Sequence, residues 1–351
     1  MSSDPGRLAL VFGVAAFLAS AGGSALARRY ALARSLLDVP NERSSHAVPM
    51  PRGGGIAIAL VVLVSLGLLA MFGAVAPRLA VAFGGGGALV AVVGWLDDRR
   101  GLPASVRLVA HVAAAAWTVA WLQGMPDLTV GARAVHLGLA GALLAMLGVV
   151  WATNLYNFMD GIDGIAAAEA VVAGLAGALL LASREPSLAL VALLVAAAAG
   201  GFLVWNWPPA RLFMGDVGSG FLGFLFGGLA VASENAHVLP ALIWIVLLGP
   251  FFADATVTLI RRIVRGERWL AAHRSHAYQR AVQAGWSHRK VTSAVAVLTA
   301  ALGLFGSLVT RNAAFLAPVL LVSAGVLGAI YLAVERWHPM RSPGGDVDRR
   351  G

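Results

Sequence analysis

Five aspartates and an asparagine carry the chemistry that this sequence can offer. Asp97 and Asp98 are adjacent, in the string Asp97-Asp98-Arg99-Arg100. Asn157, Asp160 and Asp163 follow one another at three-residue intervals, with Gly161 and Gly164 after the two acids. Asp216 lies between Gly215 and Gly218-Ser219. Each has a plain structural reading when taken alone: a charged stop at a helix end for Asp97-Asp98, a helix cap for Asp163 and for Asp216. Together they form an all-oxygen set drawn from three separate segments, and the chain contains no cysteine to add sulfur. Such a set suits Mg²⁺, with Mn²⁺ the other candidate, because these ions take one or two protein oxygens and fill the rest with phosphate and water. Two further segments supply groups that contact phosphate: Arg43, His46 and Arg52 in one, His273, Arg274 and His276 in the other. Asn41 and Asn154 are polar neighbours of the same segments and join the substrate-contact candidates. A metal, basic groups and a spare carboxylate base describe phosphoryl transfer.

The elements that must hold these residues are membrane helices. The chain has 351 residues, 59% of them hydrophobic, with mean hydropathy +0.80 and only 12% charged. Soluble domains carry about 25% charged residues, so an ordinary soluble enzyme, a coiled coil and a disordered chain are excluded. The net charge of +9 sits on no basic soluble domain, so nucleic acid is not an expected partner. Apolar runs of spanning length occur near 8–27, 53–73, 78–96, 105–122, 136–153, 163–182, 187–205, 218–233, 237–260, 291–310 and 313–334. The expected fold is therefore all-α: one polytopic integral membrane domain over 1–351 with about eleven transmembrane helices, the first a retained helix rather than a cleaved leader.

Sorting the basic residues by loop orients the bundle. One side holds loops at about 28–52, 97–104, 154–163, 206–217 and 261–290 and the tail 336–351; with Arg107 just beyond the second loop, it carries 21 of the 26 Lys and Arg. The positive-inside rule makes that side cytoplasmic, the N-terminus external and the C-terminus internal. All five aspartates fall on the same side, so the chemistry is expected at the cytoplasmic membrane surface, between a lipid phosphate and a soluble nucleotide. Asp254 reads as the one carboxylate well inside a span, and it and His111 are taken as structural. Gly84–Gly87 lacks the Lys-Ser/Thr of a nucleotide loop and reads as close helix packing.

With these motifs in hand, the chain resembles the polyprenyl-phosphate N-acetylhexosamine-1-phosphate transferases of glycosyltransferase family 4. The resemblance runs over residues 38–290 and is most specific in Asn157 to Asp163 and in Phe213-Met-Gly-Asp216-Val-Gly-Ser219. It implies transfer of a sugar 1-phosphate from a UDP-activated N-acetylamino sugar to undecaprenyl phosphate, with Mg²⁺ required and UMP released. It assigns Asn157 and Asp216 to the metal, Asp160 to the metal and diphosphate site, and Asp97 or Asp98 to deprotonating or orienting the lipid phosphate. It places Asp163 near the uracil and the fifth-loop histidines at the nucleotide sugar. The string His273-Arg-Ser-His276-Ala-Tyr-Gln279-Arg280 is similar to the O-antigen branch, which handles GlcNAc, GalNAc, FucNAc or QuiNAc, rather than to the muramoyl-pentapeptide branch. The bacterial inner membrane is the implied location, and a homodimer is among the implied assemblies. Two rivals frame the reading. An intramembrane aspartyl protease would need a Gly-x-Gly-Asp motif, where this chain has Phe213 in the first position. A proton-coupled transporter would need ionisable groups at midplane.

Overall fold

The computed structural model describes residues 5–40, 48–131, 133–267 and 273–340. The chain is helical almost throughout. The helices are α1 (Pro5–Ala33), α2 (Gly55–Met71), α3 (Pro77–Arg100), α4 (Ala104–Trp121), α5 (Leu139–Met159), α6 (Ile165–Leu181) and α7 (Pro186–Asn206). They continue as α8 (Asp216–Asn235), α9 (Ala241–Leu247), α10 (Gly249–Val264), α11 (Ala277–Gln283), α12 (His288–Arg311) and α13 (Leu316–Trp337). Among the described residues, eight helices are long and apolar enough to cross a membrane, and the pair α9–α10 makes a ninth if counted as one span. The apolar helices α2 and α6, of 17 residues each, coincide with two further expected spans and lie at the short limit for crossing.

Turn chemistry sets the helix ends. Pro77, Pro186 and Pro250 stand in first turns, where a missing N–H costs nothing. Gly101 closes α3 at φ 64°, and Pro103 opens α4. The expected span 237–260 is not one helix: it breaks at Leu248, with α9 and α10 meeting at 87°. Gly249-Pro250 supplies the break, since proline removes a backbone donor and glycine lowers helix propensity. Two short hairpins depart from an all-helical chain: β1 (Leu37–Asp38) with β2 (Met50–Pro51), and β3 (Asp127–Val130) with β4 (Arg133–His136).

Helix α8 is the centre, buried along nearly its whole length against α3, α5, α2 and α7. Glycines let it be central. A Cβ on Gly223 would meet the backbone of Ala152 and Thr153 on α5, and one on Gly228 would meet Phe83 on α3. The run Gly85–Gly87 of α3 packs the same way against Trp117, Thr118, Phe221 and Phe224, as the sequence suggests, while Gly84 faces open space. Tyr156, Phe226, Phe251 and Trp244 tie α5, α8, α10 and α9 together, with ring centroids 5.0–6.0 Å apart. Helices α1 and α13 stay peripheral, with most of their length unburied.

One intramembrane acid escapes the sequence reading. Glu169 in α6 is fully buried and takes the Thr299 hydroxyl of α12 at 2.5 Å. Asp254 is therefore not the one carboxylate inside a span.

Candidate active site

The site forms where the arginine-rich helix ends converge. The second and third segments prove shorter than their expected loops, because α3 runs to Arg100 and α5 to Met159. Asp97 and Asp98 thus stand on the last turn of α3, and Asn154 and Asn157 on the end of α5, rather than in loops. Asp216 is the first residue of α8.

Asp98 is the keystone. Its carboxylate accepts the backbone N–H of Asp216 at 2.8 Å and of Val217 at 3.2 Å. It thereby caps α8 from a neighbouring helix, at the end where the helix dipole favours an anion. Asp216 does not cap its own helix, contrary to its plain structural reading. The Arg52 guanidinium bridges Asp98 at 2.7 Å and Asp216 at 3.2 Å. Arg107, on the first turn of α4, bridges Asp97 at 2.7 Å and Asp216 at 3.4 Å. Asp97 also accepts the N–H of Leu102. Three carboxylates from α3 and α8 therefore share two guanidiniums. Asp97 and Asp98 side chains are 7% and 6% exposed, whereas Asp216 is 20% exposed.

Glycines allow this convergence. Gly215 has φ 76°, and a Cβ there would collide with the Asp98 carboxylate. The backbone of Gly54 and Gly55 donates to Phe213 O at 2.9 Å and Met214 O at 2.8 Å, while Phe213 N returns to Pro51 O at 2.8 Å. This short backbone clamp delivers Arg52 to Asp216, and a Cβ on Gly55 would strike the backbone of Gly218. Asn157 joins from α5, its side-chain amide donating to Ser219 Oγ at 3.2 Å.

The sequence matches Glycosyl transferase family 4 over residues 80–234. It is 33% identical over 272 residues to a probable undecaprenyl-phosphate N-acetylglucosaminyl 1-phosphate transferase of Bacillus subtilis, covering 75% of this chain and 74% of that one. It is 28% identical over 292 residues to a decaprenyl-phosphate N-acetylglucosaminephosphotransferase of Mycobacterium leprae, at 72% and 71% coverage. A phospho-N-acetylmuramoyl-pentapeptide-transferase of Synechococcus is 34% identical over 234 residues, at 60% and 66% coverage.

The chain belongs to Glycosyl transferase family 4.

The remaining sequence-derived residues of this membrane transferase fall into three groups. Asp160 and Asp163 lie beside the cluster, on the turn between α5 and α6. Burial, against the pull of Arg52 and with Asp98 and Asp163 close by, pushes the Asp160 carboxyl up to about 7. Asp163 does not cap α6; Gly164 holds that position. The Asp163 carboxylate instead accepts Ala210 N at 3.1 Å and lies 3.3 Å from His288 Nδ1, linking the α7–α8 connection and α12. Asn154 turns back along α5 and donates to Val150 O at 2.7 Å, one turn deeper than Asn157. His273 and His276 lie with ring centroids 4.8 Å apart and planes tilted by 36° just before α11, with His276 buried, while Arg274 is exposed. Burial, with His276 and Arg262 nearby, holds the His273 ring down to about 3. It is neutral in the physiological range and can meet a phosphate by hydrogen bonding only. Asn41, Arg43 and His46 lie outside the described residues.

Arg107, Tyr278 and His288 are missing from the sequence-derived set. Arg107 carried a signal: it is the lone cation at the head of an otherwise apolar span. Tyr278 carried little. It reaches Phe158 O at 3.3 Å and occupies the space over Gly161, a contact set by tertiary packing alone. His111 lies inside α4, mostly buried, in keeping with a structural role.

Proposed function

We propose that this transferase moves an N-acetylamino-sugar 1-phosphate from a UDP-sugar to undecaprenyl phosphate, releasing UMP at the cytoplasmic face of a bacterial inner membrane. The product would start a lipid-linked envelope polysaccharide of the O-antigen type. The observation that carries this reading is the convergence of Asp97, Asp98 and Asp216 with Arg52 and Arg107 at the inner end of α8. The N-acetylglucosaminyl transferases among the relatives make UDP-GlcNAc the first donor to test, ahead of GalNAc and the 6-deoxy FucNAc and QuiNAc forms.

The residues fit a hard divalent cation. Asp216 is the most open of the three aspartates, and Asn157 spends its amide N–H₂ on Ser219, which leaves the amide carbonyl for a cation. Among the described residues no three His, Asp or Glu group closely enough to form a metal cage of their own. Mg²⁺ is bound by few protein carboxylates and by substrate phosphates. Asp216 and Asn157 would hold Mg²⁺ (or Mn²⁺), which supplies neutralisation of charge on the departing UMP. Arg52 and Arg107 hold the carboxylates together against their mutual repulsion and offer planar forks for phosphate oxygens. Asp98 keeps α8 aimed at the site. A phosphate monoester has a second pKa near ~6 and is largely ionised at pH 7. Asp97 and Asp98 therefore serve the acceptor more by orientation than by taking a proton.

The transporter alternative gains nothing from the fold. Asp254, its natural proton carrier, is spent on the N–H groups of Ala277 and Tyr278 at 2.8 and 3.0 Å.

The test is UMP release from UDP-GlcNAc by the detergent-solubilised protein, with and without undecaprenyl phosphate and across a Mg²⁺ titration. Asp216→Asn and Asp98→Asn are each expected to lower turnover by at least about 10²-fold, the scale of a lost electrostatic contact in a transition state. Full turnover by Asp216→Asn removes its metal role. Failure of every UDP-N-acetyl sugar to yield UMP removes the proposed reaction.

A further inference from the structure

The segment carrying His273 and His276 is anchored from outside the site. α11 follows directly, and both of its ends are held by buried charge. At its start, Asp254 of α10, 6% exposed, accepts Ala277 N and Tyr278 N and lies 3.3 Å from His276 Nδ1. Further along, Arg280 is 2% exposed, with its Nη1 2.5 Å from Glu335 Oε2 and 2.9 Å from His338 O. The Nε and Nη2 of Arg280 are buried with no partner. Glu335 is thus the carboxylate that compensates this guanidinium among the described residues. The same Glu335, in the last turn of α13, takes Arg261 of α10 through two bonds of 2.6 and 2.8 Å. Both guanidiniums stand over the Tyr331 ring, at 5.8 and 5.2 Å. One acid on the last helix therefore ties α10 to α11.

α11 in turn bears on the reacting groups. Tyr278 donates to Phe158 O at 3.3 Å, and its hydroxyl occupies the place a Cβ on Gly161 would need. The turn it supports carries Asp160 and Asp163 and follows directly on the end of α5 that bears Asn157. Moving α11 would shift the histidine pair and this turn together, while the Asp98 cap on α8 would stay in place.

We propose that Glu335 is a positioning residue for the nucleotide-sugar donor: through Arg261 and Arg280 it holds α11, with His273 and His276, against the turn bearing Asp160 and Asp163. This rests on the donor reading above. Removing the carboxylate leaves Arg280 buried without compensation beside a second guanidinium, a strongly unfavourable arrangement that α11 relieves by moving.

The experiment compares wild type, Glu335→Gln and Glu335→Asp in Mg²⁺, with Kd for UDP-GlcNAc by calorimetry and steady-state kinetics in both substrates. Glu335→Gln should raise the donor Kd and KM about tenfold while kcat stays within about threefold and the undecaprenyl-phosphate KM is unchanged, the pattern of lost ground-state binding. Glu335→Asp, which keeps the charge, should recover most of the donor affinity. An unchanged donor Kd in Glu335→Gln overturns the proposal, as does a fall in kcat with both KM values intact. Should Glu335→Gln not fold, Arg261→Lys breaks the two-bond fork with charge retained and must show the same donor-specific loss. A wild type that neither binds nor turns over any UDP-N-acetyl sugar fails the parent reading, and the positioning role with it; a wild type that does both isolates the result to Glu335.

Discussion

At the scale of single residues, the carboxylates divide by what they bind. Asp98 and Asp254 do the same physical work at two helix starts: each accepts two backbone N–H groups of a helix it does not belong to. Asp216, by contrast, offers its carboxylate to side chains only, and is the one free to exchange them for substrate and cation. Asp160 is different again, its ionisation disfavoured by burial. In the folded chain it keeps its proton up to about 7, against a usual 3.8. Between those values the folded state binds more protons than the unfolded one. Its contribution to stability is therefore complete below about 4 and is lost as pH rises to about 7. With divalent ions chelated, the midpoint of thermal unfolding should fall across that window, and Asp160→Asn should flatten the fall. An unchanged slope in the variant would show that Asp160 is ionised throughout. The residue types at the site were readable because an all-oxygen set without cysteine points to few cations. Their partners were not: nothing in the spacing of Asp97-Asp98 distinguishes the residue that caps α8 from the one that pairs with Arg107, since that depends on the rotation of α3 about its axis.

Elements show the same division. Helix placement followed from runs of apolar residues, and the helix ends that carry the acids were legible to within a few residues. What hydropathy could not show was the 87° break at Leu248, because the apolar run continues on both sides of it. Nor could it show β1–β2, whose four residues pair across a loop. The glycines separate cleanly by geometry. Gly215, at φ 76° and ψ 171°, occupies a region essentially closed to other residues, at a cost of roughly 1–3 kcal/mol. A side chain there would also evict Asp98. Gly215→Ala should lower the unfolding midpoint and abolish UMP release, whereas Gly84→Ala, in open space on α3, should leave UMP release unchanged and raise the midpoint slightly through helix propensity. Equal behaviour of the two variants would refute the role given to the cap. A second contrast lies in α6. Thr299→Val withdraws the hydroxyl from buried Glu169 and should destabilise by about 1–3 kcal/mol, the cost of an unsatisfied buried polar group. Glu169→Gln should be much milder, since the amide oxygen can still accept the bond. Unfolding midpoints of the two variants in detergent decide this.

For the whole molecule, orientation joins the charge pattern to the chemistry. Arg28, Arg29, Arg34, Arg52, Arg99, Arg100 and Arg107 all lie at the bundle end where Asp97, Asp98 and Asp216 meet. The opposite end carries the β3–β4 hairpin, with Asp127 and His136 paired at 2.9 Å. If the arginine-rich end faces the cytoplasm, the site opens where a nucleotide sugar is made, and the lipid phosphate need only reach the inner headgroup layer. The absence of native cysteine makes this directly measurable. Single substitutions at exposed positions, Val39→Cys beside the first inner segment and Arg133→Cys on the hairpin, can be labelled with a membrane-impermeant maleimide. In intact cells Arg133→Cys should react and Val39→Cys should not; after permeabilisation both should react. The reverse pattern would turn the aspartate cluster away from the nucleotide pool, and the proposed donor would then have no route to Asp216.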